Sequence, residues 1–197
     1  AIEDAGRIEK LTLYVLQRAI ADFAPLGLNI AVNLSMRMLG NNRLEAPLRR
    51  LLDAYDMPAE RLTLEITESA TMADERGITE LEALRRLGVN ISIDDYGTGQ
   101  STLSYLKRLP ASELKIDQSF VRQILTSRSD AVLINSTIKL AHELDMRVVA
   151  EGVEDQGVMN ALAGMECDII QGYHIGRPVA FAEFVKRYRP RSARDAA

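Results

Sequence analysis

The chain has 197 residues, 47% of them hydrophobic, and a formal net charge of −4. That size and apolar content fit one globular domain with a sizeable core, and the negative balance excludes a general binder of nucleic-acid polymers, which needs a basic face against phosphates. The only cysteine, Cys167, can form no intrachain disulfide, the pattern of a reducing, cytoplasmic compartment, and no run approaches the ~20 apolar residues of a membrane span, so this segment makes no membrane contact.

Residues 1–24 read as a helix with Ile8, Leu11, Val15, Leu16 and Ile20 along one apolar stripe and Gly6 near its start. A domain rarely opens inside a helical unit, so further sequence is expected upstream. From Leu28 onward short apolar runs alternate with amphipathic stretches, the signature of βα units on a mainly parallel sheet. Six strands are predicted, at 29–35, 62–67, 90–95, 113–117, 147–153 and 168–173. Helices at 44–55, 77–87 and 131–144 fill gaps between them, and Gly88, Gly97, Gly99 and Pro110 supply breaks. The regular spacing predicts a barrel over residues 1–188, followed by a basic, disordered tail at 189–197.

Polar residues gather in the second half of each strand or just after it: Asn33 and Ser35, Glu65 and Glu68, Asp94 and Asp95, Lys115 and Asp117, Glu151, and Gln171. In a (β/α)₈ barrel these carboxyl ends form one face, where active sites are built. One such residue alone is as readily a group that caps a loop; six strands carrying them together point to a site. Four or five carboxylates against one lysine leave a negative excess that burial penalises. Oxygen ligands without histidine or thiolate select a hard cation, Mg²⁺ or Mn²⁺, over zinc. The adjacent Asp94 and Asp95 can serve two ions.

Asp94-Asp95-Tyr96-Gly97-Thr98-Gly99 resembles the DDFGTG loop of EAL-domain cyclic di-GMP phosphodiesterases. Asn33-Leu34-Ser35 is similar to that family's NLS strand, Leu64-Glu65-Ile66-Thr67-Glu68 to its LEITE strand and Leu114-Lys115-Ile116-Asp117 to its LKID strand. Ala150-Glu151-Gly152-Val153-Glu154 resembles the AEGVE motif, and Gln171-Gly172-Tyr173 with Arg177-Pro178 the closing QGY and RP elements. Six motifs in order on alternating strands make a specific signal, over roughly residues 1–188.

The resemblance implies an α/β fold, a TIM-like (β/α)₈ barrel of the EAL type lacking about its first two strands. It implies metal-dependent hydrolysis of cyclic di-GMP to the linear dinucleotide pGpG, in bacterial second-messenger signalling, with two Mg²⁺ or Mn²⁺ ions. Asn33, Glu65 and Asp94 would bind the first ion, and Asp94, Asp95 and Glu151 the second. Lys115 would hold the attacking water or the phosphate, so that Lys115 and Glu151 are the catalytic pair. Glu68 would steady the loop after Asp95, and Gln171 would order water or substrate. A homodimer paired through the region after the Asp94-Asp95 loop is also implied, with sensory or cyclase domains upstream.

Glu82-Ala83-Leu84 spells EAL inside a predicted amphipathic helix, where its glutamate cannot reach a barrel mouth; it is a chance tripeptide. The family's own glutamate, and a nearby substrate-binding arginine, would lie upstream of Ala1, so residues 1–197 alone are expected to hydrolyse cyclic di-GMP poorly or not at all. Tyr96 stands for the usual phenylalanine and Gly176 for a frequent serine, neither of them a ligand. His142 and His174 read as surface or packed residues. A metal-dependent lyase or isomerase with a lysine base would explain the site but not the motifs. A catalytically silent cyclic di-GMP receptor is the other alternative, and it need not retain Asn33, Glu65, Asp94, Asp95, Lys115 and Glu151 together.

Overall fold

The computed structural model describes residues 5–40, 43–68, 75–98 and 106–188. Six strands form one sheet in chain order, every neighbouring pair parallel. They are β1 (Ile30–Asn33), β2 (Leu62–Thr67), β3 (Asn90–Tyr96), β4 (Glu113–Ile116), β5 (Arg147–Ala150) and β6 (Ile169–Ile170). Parallel neighbours need crossovers, and four of the five run through α2 (Glu45–Ala54), α3 (Glu75–Arg86), α4 (Gln118–Val121) with α5 (Arg128–Glu143), and α6 (Gln156–Gly164), while the connection from β3 to β4 lies partly outside the described residues. A helix α1 (Ala5–Phe23) precedes the sheet and α7 (Phe181–Arg187) follows it. The result is a run of barrel wall with helices outside.

Strand alternation separates two faces. Leu62, Leu64 and Ile66 of β2, Ile91 and Ile93 of β3, and Leu114 and Ile116 of β4 are buried in the core with Leu81 and Leu84 of α3. Each such side chain removed from water contributes on the order of 1.5–3 kcal/mol. The intervening residues, Glu65, Asp94 and Lys115, turn to the concave side. The buried Glu80 of α3 accepts from the Gly40 amide at 2.6 Å and the Leu44 amide at 3.2 Å. Its carboxylate therefore covers the start of α2, whose own N-cap Leu44 supplies no side-chain acceptor.

All six predicted strands are present, four of them (β1, β4, β5 and β6) shorter than their apolar runs. Gly152, at φ +70°, turns the chain off β5 directly after Glu151. Single backbone bonds continue the ladder beyond the strand ends, from Leu34 to Glu65, from Glu151 to Ile116 and from Gln171 to Ala150. The predicted stripe on α1 splits. Leu16 and Ile20 are fully buried, but Leu11 and Val15 are 47% and 40% exposed. They line, with Ile8, an open groove of about 620 Å³ beside β1. Gly99 and the predicted tail at 189–197 lie outside the described residues. No described helix is long and apolar enough to cross a membrane.

Candidate cation centre

The carboxyl ends of β2 to β5 bring four predicted residues together on the concave face. The Lys115 ammonium lies 2.8 Å from Asp94 Oδ1, 2.7 Å from Glu151 Oε1 and 3.1 Å from Glu65 Oε1, and its side chain is 5% exposed. Burial by itself lowers a lysine's pKa. Here the hydrogen bonds to Asp94 and Glu151 and the charge of Glu65 outweigh it and hold Lys115 well above the ordinary range. Burial pushes the Glu65 carboxyl up; Lys115 opposes this, while the charges of Asp94 and Glu151 add to it.

Adjacent strand residues ordinarily point to opposite faces, which would part Asp94 from Asp95. A break in register resolves this. Ile93 pairs with Leu114 and Tyr96 with Ile116, so three steps on β3 meet two on β4, with Asp94 and Asp95 in the interval. Such a bulge re-aims a side chain. Asp95 takes a left-handed φ of +56° within it, and its amide donates to Asp94 Oδ1 at 3.1 Å. Oxygens of Asp94, Asp95 and Glu151 consequently all lie within 4.8 Å of one another. Burial first, then the charges of Asp94 and Asp117, raise the Asp95 pKa.

The remaining predicted residues surround this cluster. Glu68 is buried and accepts from the Gly97 amide at 2.9 Å, within the turn after Asp95. Gln171 lines a cleft of about 240 Å³ beside Glu151, together with Arg122, Glu154 and Tyr173. Arg122 donates to Glu154 at 3.0 Å, and the Arg177 guanidinium sits 4.3 Å above the Tyr173 ring. Asn33 is exposed at the end of β1 and borders the open groove with Glu65. Glu65 is joined to the cluster through Lys115 and is outside the compact carboxylate group found among the described residues.

Three of these cleft residues had no role assigned from sequence. Glu154 and Tyr173 belong to the quoted AEGVE and QGY motifs, a signal that was available; Arg122 lies in no motif and is brought in by the fold. Asp117 accepts from the Ser119 amide at 2.9 Å, capping α4, and its charge is felt at Asp95. Glu82 is exposed on α3 beside Arg86, as a chance tripeptide requires. His174 is exposed with Gln156 as its partner, and His142 pairs with Asp168 at 2.8 Å. The loop residues beyond Thr98, to which dimer pairing was ascribed, fall largely outside the described ones.

The donor set fits a divalent cation. All three clustered ligands are carboxylates, the group preferred by hard ions, and an ammonium already stands among Asp94, Glu151 and Glu65 as a positive charge.

The EAL domain family model matches residues 1–178. The chain is 40% identical over 197 residues to the cyclic di-GMP phosphodiesterase NbdA of Pseudomonas aeruginosa, a match that takes in 95% of this chain and 25% of that protein. Its fold superposes on the MucR phosphodiesterase in complex with cyclic di-GMP with a TM-score of 0.85 at 37% identity, covering 93% of this chain and 77% of that one. It also superposes on Klebsiella pneumoniae BlrP1 in a complex with calcium and cyclic di-GMP, with a TM-score of 0.82 at 29% identity, over 90% of this chain and 46% of that one. The chain thus spans about a quarter of the length of the curated relatives it matches.

Proposed function

The chain belongs to the EAL-domain family, and on that premise we propose that the mouth of its sheet is a two-cation site for hydrolysis of cyclic di-GMP to linear pGpG. The observation that carries the proposal is the convergence of Asp94, Asp95 and Glu151 around the buried Lys115. Mg²⁺ or Mn²⁺, when bound, supplies charge to the phosphate oxygens and lowers the pKa of a bound water.

The chain's own residues do the rest. Asp94, Asp95 and Glu151 would hold one ion and Asn33, Glu65 and Asp94 the other. Lys115 keeps a full positive charge in place before the reaction begins, where an attacking water or a phosphate oxygen becomes more negative; donors fixed in advance are the ones that lower a barrier. Glu68 keeps the Asp95 turn from drifting through its bond to Gly97. Gln171 orders water or substrate at the rim. Residues 1–188 form the unit concerned, in the cytoplasm, as part of a longer homodimeric protein whose other domains bring the regulatory input.

Calorimetric titration with Mn²⁺ tests the cation site. The native chain is expected to bind, and the Asp94→Ala, Asp95→Ala double variant, shown folded by circular dichroism, to lose that binding. Equal binding by both removes the assignment.

A further inference from the structure

The acidic cluster is assembled from two separate turns, one after β3 and one after β5, and a single short element touches both. Helix α4 leaves β4 directly behind Lys115, with Asp117 capping it through the Ser119 amide. On one side the Phe120 ring abuts Gly97, two residues past Asp95. A Cβ placed on Gly97 would lie 2.7 Å from Phe120 Cε2 and 3.2 Å from Cζ. On the other side Gln118 abuts Gly152, the residue after Glu151. A Cβ there would lie 2.5 Å from Gln118 Cβ and 3.3 Å from its Cα. Real Cβ atoms do not approach so closely, so both turns rest on α4 without room for one methyl group.

The packing matters because the Asp95 turn is strained. An aspartate at φ +56° is held in a left-handed backbone that non-glycine residues adopt at a cost and keep when neighbours over-determine it. Glu68, just past β2, accepts from the Gly97 amide, and the Phe120 ring abuts the same glycine. Neither turn can close on the other without compressing α4, whose cap fixes its direction. We propose that α4 is the spacer that sets the separation between the Asp94-Asp95 pair and Glu151, with Phe120 and Gln118 as positioning residues for the cation cluster. This rests on the proposed function and names what holds its ligands apart.

Phe120 also packs against the core, and a residue that merely fills space would change thermal stability and leave cation affinity alone. The experiment therefore reads Mn²⁺ affinity by calorimetry on chains shown folded by circular dichroism, with Mn²⁺ alone as the probe. Phe120→Ala is expected to weaken binding about tenfold to a hundredfold, the usual cost of losing a group that orients a ligand, and Phe120→Tyr, which keeps the ring, to restore it. The exposed Gln118 gives a second test that leaves the core intact. Gln118→Ala keeps the contacting Cβ and retains native affinity, whereas Gln118→Gly removes it and weakens binding. Native Mn²⁺ affinity in both Phe120→Ala and Gln118→Gly overturns the spacer. Failure of the native chain to bind Mn²⁺ overturns the proposed function itself, and the spacer with it.

Discussion

Lys115 is the residue on which the electrostatics of the cluster turn. Its ammonium neutralises charge from Glu65, Asp94 and Glu151 at once, in a position almost closed to water. Removing one partner of a buried ion pair costs roughly 3–5 kcal/mol because the remaining charges stay buried and unpaired. Lys115→Met is therefore expected to lower the metal-free melting temperature by about 10 °C, at ~2–4 °C per kcal/mol for a chain of this size. Mn²⁺ should then restore more stability to the variant than it adds to the native chain, since a divalent ion takes over the missing charge, while hydrolysis falls by about 10²–10³ for want of the placed cation. An equal Mn²⁺ increment in both proteins, read by thermal melts, contradicts this account. Glu65, Asp94, Lys115 and Glu151 were legible in the sequence because each lies in the second half of a β-strand or just after it, and alternation sends them to one face. Asp95 is marked by its place beside Asp94 and by the resemblance, but alternation alone would send it to the other face; how it reaches inward depends on the register of β3 against β4 and on one left-handed residue.

Between elements, Asp168 ties α5 to the far end of the sheet from the cation cluster. Its carboxylate accepts from the Val148 amide of β5 at 2.8 Å and pairs with His142 near the end of α5 at 2.8 Å. Burial raises its pKa, but the bonds from His142 and Val148 outweigh that and leave it below the ordinary aspartate value of 3.8. A carboxyl depressed by folding contributes stability that is present above the unfolded value and lost as the pH falls through the folded one. Asp168→Asn keeps an acceptor for Val148 and removes only the charge. At pH 6 the variant is expected to melt about 2 °C below the native chain, roughly 1 kcal/mol for a charge-assisted bond at a half-exposed site. The gap should close as the pH drops below about 4. A gap that is constant from pH 6 to pH 3 in calorimetric melts rejects the assignment. The strands could be read from their apolar runs and the long helices from periodicity, since each helix supplies enough residues to show one. Helix α4 could not: Gln118–Val121 is one turn, too short for any repeat. On α1 the stripe itself misled, because Leu11 and Val15 share the apolar pattern of Leu16 and Ile20 yet face the groove.

For the molecule as a whole, the sheet's two edges govern how well the site can work. Among the described residues β1 pairs only with β2 and β6 only with β5, in a wall of six strands where a parallel α/β barrel closes with eight. The free edge of β1 exposes backbone donors and acceptors, and it runs beside the apolar groove formed by Ile8, Leu11 and Val15. Asn33 and Glu65 border that same groove. The half of the cation site assigned to them is thus the half without a neighbouring strand, and Glu65 stands outside the compact carboxylate group. An ion held there by Asn33, Glu65 and Asp94 would complete its shell with water, as Mg²⁺ readily does, at the expense of position, and a 1 Å misplacement costs about a hundredfold in rate. The solved MucR phosphodiesterase chain, 77% of which is matched, offers the means to test this. The part of that solved chain outside the match, fused before Ala1, is expected to pair on β1, cover Leu11 and Val15, and raise turnover of cyclic di-GMP about a hundredfold over residues 1–197 alone with Mg²⁺ or Mn²⁺ present. Hydrolysis assays on the two proteins decide the matter, and equal turnover would mean that the open edge does not limit the site.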